Sequence, residues 1–154
     1  MSAYRRGVGG PPAVELSVVS GADLLPVAAA DVRQRVRRAL LDSGERCDPI
    51  PTEDALLVAS ELATNAIVHG GGITGFQAEV LDGVLVLAIS DSADVVPTMT
   101  RRLPGDSRPG GYGWPIIQRL AHRVVVEPRR RAAGEGPSGA GPVGKTITVT
   151  LPLR

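Results

Sequence analysis

Residues 55–72 read ALLVASELATNAIVHGGG, and this stretch decides how the rest of the chain is interpreted. Its apolar residues recur three and four positions apart, a spacing that gathers them on one face of a helix. The three glycines that close the stretch end the helix, because glycine readily leaves helical backbone geometry. We therefore expect a helix from about Thr52 to His69, with Thr52 as its N-cap.

The same helix carries a row of polar side chains. Glu61, Asn65 and His69 lie four positions apart, so they project from one face beside the apolar stripe. Taken alone, such a row is most simply a solvated face, and His69 at a helix end interacts favourably with the helix dipole. A carboxylate and an amide oxygen in line can also hold a hydrated Mg²⁺ ion against substrate phosphates. In that case Asn65 is the better direct ligand and Glu61 the better proton acceptor.

A hairpin follows the helix. Phe76–Leu81 and Val84–Ser90 have the length and composition of strands, and Asp82-Gly83 between them is a strong turn signal. The second run, VLVLAIS, is apolar almost throughout, so we expect it to be a central strand of the sheet. Asp91 ends this strand, where its carboxylate either begins a turn or accepts a hydrogen bond from the amino group of a ligand.

The glycine-rich stretch at residues 110–115, GGYGWP, is a third candidate feature, and it leads into a short helix with Pro115 in the first turn. Glycines let the backbone come close to a phosphate, and the N-terminus of a helix favours anions. Gly111 and Gly113 are therefore candidates for a phosphate-binding loop. The alternative for so short a motif is an ordinary flexible loop before a helix.

The order of elements predicts the fold class. The remaining predicted elements are strands at 14–19, 124–127 and 146–151 and a helix at 28–41. The hairpin joins its strands too tightly for crossovers, so the sheet is mixed or mostly antiparallel. We expect an α/β sandwich of the α+β kind, with helices layered on one face of the sheet. One domain would span residues 14–154, after a disordered tail at 1–13.

Composition argues against several classes of function. Lys and Arg total 17 against 16 Asp and Glu, so no global charge favours nucleic acid or a membrane surface. One Phe, one Trp and two Tyr make no stacking platform for single strands. No apolar run approaches the roughly 18 residues of a spanning helix. The lone Cys47 fits a reducing cytoplasm. We expect a cytoplasmic protein that binds neither nucleic acid nor membrane.

Four motifs in chain order resemble a known family. They are ELATNAIVHG at 61–70, Asp91 after an apolar strand, GYGW at 111–114 and GKTITV at 144–149. Together they resemble the N, G1, G2 and G3 boxes of the GHKL ATPases, which include gyrase, heat-shock chaperones, histidine kinases and mismatch-repair proteins. The residues of the first box and the short, stand-alone chain look closest to bacterial anti-sigma-factor serine kinases of the actinobacterial type. The resemblance spans residues 14–152 and implies a Bergerat-type ATP-binding fold.

The resemblance implies roles at the phosphate end of an ATP site. Asn65 would bind the Mg²⁺ ion that bridges the triphosphate. Glu61 would be the general base that takes the proton from a serine hydroxyl or a water. Gly111 and Gly113 would shape the lid over the phosphates.

The resemblance also implies roles at the adenine end. Asp91 would accept a hydrogen bond from the adenine amino group, and Thr146 would support that side of the site. Strand alternation puts Thr146 opposite Ile147 and Val149, so the threonine that faces the nucleotide is left open. The family carries a glycine two residues after its aspartate, whereas this chain has Ala93, which would narrow the pocket.

Two main functions follow from the resemblance. The first is an ATP- and Mg²⁺-dependent protein serine kinase that acts as an anti-sigma factor. Its protein partner would be a sigma factor or the antagonist, and it would form a homodimer. The second is a catalytically weak or inactive module of the same fold that binds a regulatory protein with or without nucleotide. A third, a histidine-kinase-like domain separated from its phosphoacceptor, is disfavoured because the chain has no helix of the phosphoacceptor type.

Overall fold

The computed structural model describes residues 24–93, 95, 97, 113–130 and 142–154. These residues form three helices and four strands. In chain order they are α1 (Ala29–Asp42), α2 (Pro49–His69), β1 (Ile73–Leu81), β2 (Val84–Asp91), α3 (Gly113–Leu120), β3 (Arg123–Arg130) and β4 (Pro142–Pro152). The strand predicted at 14–19 and the tail at 1–13 lie outside the described residues.

The four described strands form one sheet in the order β1-β2-β4-β3. All of its pairings are antiparallel. Strand β2 lies between two neighbours, which confirms the central position expected from its apolar composition. The turn between β1 and β2 has left-handed φ values at both Asp82 (52°) and Gly83 (76°), the geometry that favours tight hairpins.

The hydrophobic core lies on one face of this sheet. Alternate side chains of the two central strands are buried there, namely Leu85, Leu87, Ile89, Ile147, Val149 and Leu151. The helices supply the other side of the core, through Val32, Val36, Leu40, Val58, Leu62, Ala66 and Ile117. On the opposite face of the sheet, Val86, Ser90 and Thr146 are only half-buried. The α+β architecture with helices on one face is therefore confirmed.

Helix α2 begins earlier than its sequence pattern predicted, and the assignment of Thr52 as N-cap is wrong. Asp48 occupies the N-cap position, and Pro49 follows in the first turn, where its fixed φ suits a helix start. Thr52 lies inside the helix, and its hydroxyl donates to the carbonyl oxygen of Asp48 at 2.7 Å. A threonine hydroxyl donates to the preceding turn in a helix interior and accepts from a following N–H at an N-cap, so residue type alone did not place the boundary.

Strands β3 and β4 extend beyond the predicted runs at 124–127 and 146–151. Pro128 pairs with Lys145 in the ladder, although a proline has no N–H to donate. It is tolerated because β3 is an edge strand of the described sheet. The extension matters for the site, since it brings Lys145 into register with Asp91.

No helix in the described ranges is both long and apolar enough to span a membrane.

Candidate functional site

The polar row on α2 occupies the border of the helix that faces α3. Glu61 and Asn65 are half-buried, whereas His69 is exposed in the last turn. The apolar stripe beside them, formed by Val58, Leu62 and Ala66, is buried in the core. Burial of that stripe fixes the rotation of the helix, so the polar row is held at the junction with α3.

Gly113, the first residue of α3, lies directly against this row. A Cβ added to Gly113 would overlap Oε2 of Glu61 and would lie 3.7 Å from Oδ1 of Asn65. The space beside the two polar side chains therefore exists because residue 113 has no side chain. Glu61, Asn65 and Gly113, all singled out in the sequence, are brought together by the fold. Gly111 lies outside the described residues.

Asn65 has an unsatisfied polar group at this junction. Its Nδ2 atom is buried and has no hydrogen-bond partner within the part of the chain that the structure describes. Leaving a buried donor unpaired costs about 1–3 kcal/mol, so such groups are usually satisfied by a partner. An acceptor, such as a phosphate oxygen, would satisfy this N–H group.

The donor set at the junction suits Mg²⁺ bound together with a phosphate. Among the described residues, no group of three or more His, Cys, Asp or Glu side chains could hold a metal ion alone. An ion bound to Asn65 would then need oxygens from phosphate and water, which is how Mg²⁺ is usually held. The beginning of α3 next to Asn65 adds the N-terminal end of a helix, which favours phosphate. The residues present therefore fit this ion and this anion.

Asp91 lies at the end of β2 in a buried ion pair. Its exposed fraction is 3%, and that of Lys145 on β4 is 4%. The ammonium nitrogen of Lys145 is 2.9 Å from both carboxylate oxygens of Asp91. It also donates to the carbonyl oxygen of Ala93 at 3.2 Å, and the Ala93 N–H donates to Oδ1 of Asp91 at 3.0 Å. The carboxylate thus both begins a turn, one of the two readings of the sequence, and neutralises a lysine.

Two glycines let the chain pack closely around Asp91. A Cβ on Gly70, the residue that ends α2, would overlap the Asp91 carboxylate, and one on Gly144 would overlap the Asp91 carbonyl oxygen. Gly144 has a φ of 123°, which an L side chain rarely adopts. Ser92 adds two hydrogen bonds to the carbonyl oxygen of Gly70, from its hydroxyl at 2.9 Å and its N–H at 3.0 Å. The end of α2 is therefore tied to the end of β2.

Thr146 lies on the other face of the sheet from Asp91. Its hydroxyl shares a 2.7 Å hydrogen bond with the hydroxyl of Ser90. The residue of β4 that meets Asp91 is Lys145, which pairs with it in the ladder. Sequence reasoning missed Lys145. The alternation of buried Ile147 and Val149 could have placed residue 145 on the core face, but the register between β2 and β4 was needed to identify its partner.

A known family model matches most of the chain. Residues 23–136, more than half of the chain, match the family model described as the histidine kinase-like ATPase domain. The match includes Glu61, Asn65, Asp91 and Gly113, while β4 with Lys145 lies beyond it. A comparison with curated proteins gave no match. The resemblance to the GHKL ATPases is confirmed at the level of the domain, and the anti-sigma-factor branch stays a prediction.

Proposed function

The chain belongs to the histidine kinase-like ATPase domain family, and on that premise we propose that it binds ATP with Mg²⁺ and transfers the γ-phosphate to a serine or threonine of a partner protein. The observation that carries this proposal is the meeting of Glu61, Asn65 and Gly113 at the α2–α3 junction. There the buried amide of Asn65 lacks a partner among the described residues. A carboxylate can act as a base, an amide oxygen can bind Mg²⁺ and a helix N-terminus favours phosphate, and each of these tasks serves phosphoryl transfer.

Each of these residues has a distinct task in the proposed reaction. Asn65 would hold the Mg²⁺ ion through its amide oxygen, and the bound ion would neutralise charge on the phosphates. Glu61 is half-buried, and in the proposed reaction its carboxylate receives the incoming hydroxyl. It takes the hydroxyl proton as the oxygen bonds to the γ-phosphorus and ADP leaves. Gly113 keeps the space between the helices open for the phosphates.

The proposed partner follows from the resemblance to anti-sigma-factor kinases. We propose that the chain binds a sigma factor, its protein antagonist or both, as a homodimer in the cytoplasm. The near balance of 17 basic and 16 acidic residues supports a protein rather than a nucleic acid as partner.

A phosphoryl-transfer assay tests the catalytic proposal. Purified protein, Mg²⁺ and ATP labelled in the γ-phosphate are mixed with candidate antagonist proteins, and label on the antagonist is measured. Glu61→Ala should lower transfer by about 10²-fold or more, the size of a general-base contribution, while ATP binding is retained. Glu53→Ala is the matched control, because Glu53 is an exposed carboxylate on the same helix and should leave transfer unchanged. Transfer that survives Glu61→Ala would remove Glu61 from the mechanism.

A second function is favoured by one observation. The Asp91 carboxylate is already engaged by Lys145, which weakens the case for tight adenine binding. The alternative is a module that binds its regulatory partner with or without nucleotide. It is distinguished by partner affinity that is the same with and without ATP, and that is unaffected by Asn65→Ala.

A further inference from the structure

The Asp91–Lys145 pair leaves little hydrogen-bonding capacity on the carboxylate. A carboxylate offers about four lone-pair positions. Lys145 approaches both oxygens at 2.9 Å, and the Ala93 N–H takes a further position on Oδ1. Gly70 packs against the Oδ2 side so closely that even a methyl group would overlap it. With both oxygens engaged and its side chain only 4% exposed, Asp91 offers little to the amino group of a purine base.

The ammonium group of Lys145 is also engaged by its neighbours. A lysine has three N–H donors and no acceptor. In this structure the ammonium donates to Oδ1 of Asp91 and to the carbonyl oxygen of Ala93, and it also lies 2.9 Å from Oδ2 of Asp91 in the ion pair. The two side chains and the Ala93 backbone thus hold one another in place, and the ammonium is directed at Asp91 and Ala93.

A neutral amino group competes poorly with this lysine. Hydrogen bonds between an ammonium and a carboxylate are charge-assisted and roughly twice as strong as neutral ones. Both charges are almost fully buried, so displacing Lys145 would also leave a buried ammonium without its counter-ion. The base would have to supply more than one neutral hydrogen bond to compensate for that loss.

We propose that Lys145 determines base selectivity: by occupying Asp91, it makes the site insensitive to the 6-amino group of the purine. This inference rests on the proposed nucleotide binding and concerns the base end of the same site. Recognition then depends on the phosphates and Mg²⁺ at Asn65 and Gly113. Purine nucleotides with and without the 6-amino group bind alike.

Two nucleotides that differ in one group test this proposal. ATP is compared with purine riboside 5′-triphosphate, which lacks only the 6-amino group, by calorimetric titration with Mg²⁺. The wild-type protein is expected to bind the two with similar affinity. Lys145→Met removes the charge, exposes the acceptor and should create a preference for ATP of about tenfold or more, the effect of one hydrogen bond to a charged group.

Two further variants make the assignment specific. The double variant Asp91→Asn with Lys145→Met removes the charged acceptor as well, so the preference for ATP should fall back. Arg129→Met is the matched charge control, because Arg129 is exposed on β3 and bonds to Thr74 rather than to Asp91. It should keep the wild-type ratio of affinities.

The outcomes separate this inference from the proposed function. A wild-type preference for ATP of about tenfold would mean that Asp91 already binds the amino group, and would overturn the role of Lys145 while nucleotide binding stands. Folded wild type and folded Lys145→Met that bind neither nucleotide would overturn both. If Lys145→Met does not fold, the wild-type ratio alone decides, with equal affinities supporting the proposal and a preference for ATP contradicting it.

Discussion

The Asp91–Lys145 pair contributes to stability in a way that depends on both partners. Lys145→Met should lower the free energy of unfolding by about 3–5 kcal/mol, because it leaves the Asp91 carboxylate buried without its counter-ion. Asp91→Asn with Lys145→Met should regain much of this loss, since neither charge then remains buried. Urea denaturation followed by circular dichroism measures both.

An exposed pair provides the comparison. Arg38 and Asp42 are 3.6 Å apart on α1, with both side chains largely in solvent. Arg38→Met should change the free energy of unfolding by less than about 1 kcal/mol. If Lys145→Met were no more destabilising than Arg38→Met, the buried pair would not be formed in solution.

A substitution at the contact between α2 and α3 should lower activity while leaving stability nearly unchanged. Gly113→Ala places a methyl group on the Glu61 carboxylate, which is the end of a rotatable side chain and can move aside. We expect phosphoryl transfer to fall by about 10²-fold, as a displaced base would cause, while stability changes by less than about 1 kcal/mol. Transfer assays and denaturation on the same preparation test this.

Gly144, on strand β4, is the comparison for Gly113. A Cβ there meets the backbone of Asp91 and Ser92, which cannot rotate away, and the φ of 123° is unfavourable for alanine. Gly144→Ala should therefore destabilise the protein by about 1–3 kcal/mol or more. A stable Gly144→Ala variant would contradict the close approach of β4 to β2.

Local patterns predicted most of the elements, because periodicity depends only on neighbours in the chain. The stripe of Val58, Leu62 and Ala66 and the apolar run of β2 predicted a core helix and a central strand, and both are present. The start of α2 was missed because Pro49 and Thr52 are both acceptable near a helix start.

The sequence placed two candidate site residues on one helix. Glu61 and Asn65 are four residues apart, so helical geometry alone put them side by side. The contact between Asp91 and Lys145 joins residues 54 positions apart and depends on strand register, which no local pattern reports. That is why sequence reasoning missed Lys145, whereas Thr146 came from the resemblance to the GHKL ATPases.

The stability of the molecule as a whole should report on the site, because a ligand that binds only the folded chain stabilises it. At an ATP concentration about 100 times the dissociation constant, the free energy of unfolding should rise by about 2.7 kcal/mol in the presence of Mg²⁺. Asn65→Ala should lose the Mg²⁺-dependent part of this gain, since it removes the proposed ligand of the ion. Thermal unfolding with ATP, with and without Mg²⁺, measures the difference.

Thr64→Ala is the control for this experiment, because Thr64 is the exposed neighbour of Asn65 and its hydroxyl bonds only to the Ser60 carbonyl within α2 among the described residues. It should respond to ATP and Mg²⁺ as the wild type does. An equal Mg²⁺-dependent gain in Asn65→Ala would place the ion elsewhere.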